Sequence, residues 1–366
     1  MTDRFEISYL YHGTDPAVIA DVIRVEQTIE FPADLAPSWI QDVVVGKVEE
    51  ISPAGENIHR ITISYNPDVT GGELTQLLNV LWGNASLFPG LKVVGVKIPE
   101  VITSRFKGPR FGIEGLRDFY DAPERPLLTT ALKPMGSSPE VLAAMARTLA
   151  SNGFDMIKDD HSLANQPWAM WVERVTAVAR AVTEANEETG GRCLYAPSLN
   201  LPFDRIRDAA FEAKALGAGA LLLLPGISGL DSLRSLAEDD DLALPIQAHP
   251  ALMGSFVTSP TQGVSHGILF GTLMRLAGAD ITIFPNTGGR FSFTPGQCLE
   301  IQEGAQSPLG HLKQAWIAPA GGMTIERIPE MISMYGKDMA LLVGGALSRG
   351  DLAENAARMS ALVRGS

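Results

Sequence analysis

After Arg125 the chain repeats one pattern eight times, a short apolar run followed by a helical stretch. The runs fall at 127–132, 156–158, 193–196, 220–224, 245–249, 280–284, 315–318 and 340–343. The first helix illustrates the logic. Ser138 can accept from the first free N–H groups, Pro139 suits the first turn, and Leu142, Met145 and Leu149 share one face. Asn152-Gly153 then supplies a stop. Eight strand–helix units over roughly 240 residues match a closed (β/α)8 TIM barrel better than an open doubly wound sheet.

The residues before this repeat read differently. Alternating or β-branched runs at 7–11, 43–48, 59–65 and 93–98 are separated by helical patterns at 15–26 and 72–82. Strand–helix–strand–strand–helix–strand is the ferredoxin-like order. The expectation is an α/β chain with an N-terminal ferredoxin-like α+β domain over 1–120 and a C-terminal barrel over 121–366. The basic, Gly/Pro-rich run Arg105 to Gly112 serves as the linker.

In a barrel of this kind the reactive groups gather at the C-terminal ends of the strands. The second strand ends in Lys158-Asp159-Asp160-His161. By the two-residue period of a strand, Lys158 and Asp160 share a face. An amine and a carboxylate in one cavity can bind a cation, hold a proton, or both. Lys133 ends the first strand. It is an acid or base if buried beside another cation, and otherwise a lysine reaching for solvent. His249 ends the fifth strand, as a catalyst or a structural histidine. Gly321-Gly322 and Gly344-Gly345 follow the seventh and eighth strands, where barrels cradle phosphate with backbone N–H groups. Arg290, beyond the sixth, is a candidate clamp on that phosphate.

Composition narrows the partners. A net charge of -13 argues against nucleic acid and against an anionic membrane surface. No run approaches the ~20 apolar residues of a membrane span. Cys193 and Cys298 lack metal-ligand spacing and read as reduced thiols of a cytoplasmic protein.

Several segments together resemble the RuBisCO large-subunit superfamily. Arg125-Pro126-Leu127-Leu128 with Leu132-Lys133-Pro134 resembles its first barrel strand. Phe154 to Asp160 resembles the strand whose lysine is carbamylated by CO2, and Gln247 to Ala251 resembles its strand-five histidine motif. Ala320-Gly321-Gly322 and Val343-Gly344-Gly345 resemble its phosphate loops. Glu26-Gln27-Thr28 and Gly83-Asn84 resemble segments that a partner subunit lends to the site. The resemblance implies a metal site at Lys158, Asp160 and His161, with Mg2+ as the cofactor and a carbamate on Lys158; with His161 in the set, a softer metal, or no metal and a free Lys158 amine paired with Asp160, are the alternatives. It also implies catalysis by Lys133, Lys158 and His249, and substrate contacts from Arg290, the four loop glycines, Glu26 and Asn84. A homodimer, or a larger assembly of dimers, is implied as well.

The departures point away from CO2 fixation. His161 stands where carboxylases carry glutamate, and Met135 where a second lysine belongs. Ala131 and Ala320 replace hydroxyl-bearing residues. The resemblance is therefore to a RuBisCO-like (form IV) protein, and the expected activity is enolisation of a sugar phosphate. The leading expectation is a 5-methylthioribulose-1-phosphate isomerase of methionine salvage. A decarboxylase of a 3-oxo sugar-acid phosphate is the alternative, and a non-catalytic sugar-phosphate-binding or stress-related protein the third.

Overall fold

A computed structural model describes residues 4–291 and 293–365. Among these the strands are β1 (Phe5–His12), β2 (Lys47–Gly55), β3 (Ile58–Tyr65), β4 (Leu91–Lys97), β5 (Leu127–Leu132), β6 (Met156–Asp159), β7 (Leu194–Ala196), β8 (Leu221–Leu223), β9 (Ile246–Ala248), β10 (Gly263–Val264), β11 (Ile281–Pro285), β12 (Trp316–Ala320) and β13 (Ala340–Val343). The chain forms two compact units. One comprises Met1–Phe106, Leu252–Leu269 and Pro308–Leu312, and the other the remainder. No described helix is long and apolar enough to cross a membrane.

The first unit carries a sheet ordered β10-β4-β1-β3-β2, in which β1 to β4 take the ferredoxin-like arrangement. Alternation drives it, since Phe5, Ile7 and Tyr9 of β1 are fully buried while the residues between them are partly exposed. Residues 43–46 do not belong to the second strand as anticipated. Ile40–Val44 coils into a π-type helical turn, and pairing begins only at Lys47. A β-branched run alone did not reveal that this stretch lacks a strand partner. The buried Gln27 side chain donates to the carbonyls of Asn79 (2.9 Å) and Val80 (2.8 Å) and accepts from the Ala85 N–H (2.8 Å). It thereby ties the end of helix Pro16–Glu26 to the end of helix Leu74–Trp82.

The second unit is the barrel. All pairings in its sheet are parallel, in the order β7-β6-β5-β13-β12-β11-β9-β8. A parallel bridge between Ser198 and Leu222 joins β7 to β8 and closes the ring. Leu127, Met156, Leu222, Ile283 and Trp316 contribute to its apolar core, together with Ile113, Leu116 and Tyr120 of helix Gly112–Tyr120. That helix is fixed by Asp280, whose carboxylate accepts from the N–H groups of Phe111 (2.7 Å), Gly112 (2.9 Å) and Ile246 (3.0 Å). The boundary anticipated at residue 120 therefore falls at 106–107. Residues 107–120 belong with the barrel, whereas 252–269 and 308–312 belong with the first unit. Helix Pro139–Ser151 starts and stops as its sequence dictates. Ser138 Oγ accepts from the Val141 N–H at 3.4 Å, and Gly153 follows with φ +85°.

Candidate active site

The pleat of β6 separates the charges of the Lys158-Asp159-Asp160 run. Asp159 is fully buried on one side of the strand. There it takes the guanidinium of Arg174 (Nε–Oδ2 3.1 Å), the Tyr195 hydroxyl (2.8 Å to Oδ1) and the Ser198 N–H (3.0 Å to Oδ2). Arg174 comes from helix Trp171–Thr189 and also donates to the carbonyls of Ala164 (2.8 Å) and Ala169 (2.9 Å). This network grips the loop leading from Asp160 to the helix. Asn165 Oδ1 accepts from the Trp171 N–H at 2.7 Å. The helix begins at Trp171, because residues 160–170 are occupied in carrying the loop.

On the alternate positions, Lys158 and Asp160 join a different cluster. Lys158 pairs across the sheet with Ala131 of β5 and Ala196 of β7, and these small neighbours leave room for a long side chain. Its ammonium donates to the Asp159 carbonyl at 3.1 Å. Burial drives the Lys158 pKa down to about 8; the Lys133 charge pushes the same way, and the carboxylates of Asp160 and Asp159 oppose it. Asp160 Oδ1 receives Lys133 Nζ at 2.9 Å and His161 Nδ1 at 3.3 Å. Burial alone would raise the Asp160 pKa, but these two hydrogen bonds and the two lysine charges outweigh it and hold the carboxyl far below its usual range. His161 and His249 stack with ring centroids 4.6 Å apart and planes 14° apart. His249 Nδ1 accepts from the Ala251 N–H at 3.1 Å, so a neutral ring carries its proton on Nε2. Burial first, then the charges of Lys158 and His161, keep its pKa well below 6.5.

Lys133, Lys158, Asp160, His161 and His249 thus form one connected cluster at the ends of β5, β6 and β9. Lys133 lines a recess with Thr130, Ala131, Gly344, Gly345 and Ser348, which brings one of the two glycine pairs beside it. Gly344 and Gly345 lead into a turn in which Leu347 N–H returns to Gly344 O (3.1 Å). Gly321 and Gly322 both adopt positive φ after β12 (+91° and +67°), a conformation that favours glycine. Arg290 is not drawn into the cluster. It is exposed, with its guanidinium 6.0 Å from the Phe291 ring centroid. Glu26 and Asn84 lie in the first unit and bond each other, Asn84 Nδ2 to Glu26 Oε1 at 2.8 Å.

The donor set decides what metal could sit there. Among the described residues no three His, Cys, Asp or Glu side chains are spaced to hold an ion. Asp160 and His161 could supply two ligands, whereas an ammonium supplies none. A carboxylate gained by Lys158 as its carbamate would complete the set.

Arg174, Tyr195, Asn286 and Arg327 were not anticipated. Only Arg327 left a sequence signal, in its three-residue spacing from Glu330, five residues past a Gly-Gly turn.

Residues 112–290 match the family of the ribulose bisphosphate carboxylase large chain, catalytic domain. The chain is 38% identical to a 5-methylthioribulose-1-phosphate isomerase of Rhodospirillum rubrum, over 100% of this chain and 97% of that one. It is 33% identical to a 2,3-diketo-5-methylthiopentyl-1-phosphate enolase of Bacillus pumilus, over 82% and 76% of the two chains. The crystal structure of a RuBisCO-like protein from Rhodopseudomonas palustris superposes with a TM-score of 0.90 at 34% identity, covering 100% of this chain and 98% of that one. With barrel, lysine strand and full-length likeness in agreement, this chain belongs to the RuBisCO-like proteins of the RuBisCO large-chain family.

Proposed function

We propose that the protein isomerises a phosphorylated methylthio-ketopentose, 5-methylthioribulose 1-phosphate, by enolisation and proton transfer, and that it does not fix CO2. The observation that carries this reading is the buried Lys158 amine, at a pKa of about 8, set among Lys133, Asp160, His161 and His249. A lysine close to neutrality is available as a base near pH 7, or for capture of CO2 as a carbamate, since both need the unprotonated amine.

Lys158 takes the proton from the carbon beside the substrate carbonyl. Lys133, held 2.9 Å from Asp160, returns a proton to the carbon chain. His249, neutral with its proton on Nε2, donates a hydrogen bond to the developing oxyanion. Backbone N–H groups of Gly321, Gly322, Gly344 and Gly345 hold the phosphate, with Arg290 reserved for an exposed contact at the rim. A carbamate on Lys158, with Asp160 and His161, would hold Mg2+; when bound, the ion polarises the carbonyl and makes the neighbouring C–H more acidic. The assembly in this reading is at least a homodimer, with Glu26 and Asn84 supplied by a second copy.

The relative named an isomerase supports this choice, and the relative named an enolase supports the enolisation step. NMR in deuterated water against a panel of sugar phosphates, with and without Mg2+ and bicarbonate, tests it. The expected result is deuterium on carbon of the methylthio-pentulose phosphate together with isomerised product. Release of CO2 from an oxo acid without such exchange overturns it in favour of the decarboxylase. Absence of both turnover and exchange overturns it in favour of a binding protein.

A further inference from the structure

The loops after β11 and β12 are packed backbone against backbone. A Cβ on Gly289 would lie 3.2 Å from the Gly321 carbonyl group, and one on Gly322 would lie 3.1 Å from Gly289 Cα. Either Cβ would press on the facing backbone, and the positive φ of Gly322 (+67°) favours glycine there as well. Arg327 spans the seam. Its Nη1 donates to Gly322 O (3.2 Å) and its Nη2 to Thr287 O (3.3 Å). Glu330 holds the guanidinium from behind through two contacts, Nε–Oε2 3.0 Å and Nη2–Oε1 3.2 Å.

The same helix, Ile328–Tyr335, is keyed to the end of β11 a second time. The fully buried Asn286 accepts from the Tyr335 hydroxyl at 2.7 Å and donates to Met331 Sδ at 2.9 Å, while its N–H bonds Ala320 O at 2.8 Å. Since a trans peptide is planar, a carbonyl turned toward Arg327 directs the N–H of the same peptide away from it. Arg327 therefore orients two peptide planes at once, Gly322–Met323 and Thr287–Gly288. Each presents an N–H on the side opposite the guanidinium.

We infer that Arg327 is a positioning residue that sets the separation of these two loops and aims the Gly288 and Met323 N–H groups at the phosphate end of the substrate. The inference rests on the sugar-phosphate reading given above. Arg327 acts through the loops because its hydrogen bonds go to Gly322, Thr287 and Glu330. Glu330 is part of the device, since it fixes the plane of the fork.

The test uses the full-length enzyme, its Arg327→Met and Glu330→Gln variants, and 5-methylthioribulose 1-phosphate. Arg327→Met should raise KM about tenfold while kcat stays within about threefold, and Glu330→Gln should shift KM the same way by less. Amide exchange should quicken in 287–290 and 321–324 and stay unchanged in the barrel strands. An unchanged KM for both variants, or a fall in kcat at constant KM, overturns the inference. If the wild-type protein fails to turn over any sugar phosphate, the functional reading falls on its own. The loop claim is then decided by exchange alone: faster exchange in the two loops supports it, and unaltered exchange ends it.

Discussion

Replacing Lys158 with methionine should make this protein more stable while removing its activity. The amine is 2% exposed and its pKa lies at about 8 against an ordinary 10.5, chiefly because burial disfavours the charged form. The unfolded chain therefore binds the proton more tightly than the folded one. Between pH 8 and 10.5 the unfolded state holds more protons, so stability rises with pH across that window, and the full cost is borne below it. A displacement from 10.5 to about 8 corresponds to roughly 3 kcal/mol at pH 7. Methionine fills similar space without charge. The substitution gives up the 3.1 Å bond to the Asp159 carbonyl, worth about 1 kcal/mol. Asp160 keeps Lys133 and His161 as partners. A net gain of about 2 kcal/mol is expected at pH 7, shrinking as the pH is raised toward 10.5. Urea denaturation of both proteins at pH 7 and pH 10, in bicarbonate-free buffer so that the amine stays unmodified, measures it. A Lys158→Met protein less stable than wild type at pH 7, or a gain that does not shrink at pH 10, refutes the reasoning.

Three further outcomes are expected. Arg174→Leu leaves the Asp159 carboxylate buried without its cation and should cost about 3–5 kcal/mol in urea denaturation; a loss under 1 kcal/mol would mean that the Tyr195 and Ser198 bonds suffice. The ring of His249 should show no titration at the ordinary histidine value of 6.5, because burial and the neighbouring Lys158 and His161 place its folded pKa well below it; a proton chemical-shift inflection near 6.5 contradicts the neutral assignment. His161→Glu adds an anionic ligand beside Asp160 and should tighten Mg2+ binding about tenfold or more in equilibrium dialysis with bicarbonate. Unchanged affinity would place residue 161 outside the cation's reach.

The barrel was legible because its strands are short apolar runs that alternate with helical stretches, the first of which is clearly capped. Ser138, Pro139 and Gly153 did in the fold what their chemistry requires. The strand assigned to 43–48 failed for the opposite reason. Val43, Val44 and Val45 are β-branched, but a strand needs a partner, and propensity contains no information about one. The same limit hid residues 252–269 and 308–312. They follow barrel strands in sequence, yet the first unit claims them through pairings such as Gly263 with Lys92, which no local pattern encodes. Arg290 was chosen as the nearest loop cation. Distance along the chain could not reveal Arg327, 37 residues further on, which reaches back to Thr287.

The lysine strand shows how the two-residue period divides one sequence motif between two tasks. Lys158, Asp159 and Asp160 look like one polar cluster, but a strand turns successive residues to opposite faces. Asp159 belongs to the structural side, where Arg174, Tyr195 and Ser198 satisfy it completely. Lys158 and Asp160 belong to the other, where an amine is kept in an environment that disfavours its charge. The two faces are mechanically one object, since a rotation of β6 that relaxed Lys158 toward water would drag Asp159 off its three partners. Burying the ion pair on one side thus makes the costly amine on the other side persistent. This is why the Arg174 and Lys158 substitutions are expected to move stability in opposite directions although the residues serve the same strand.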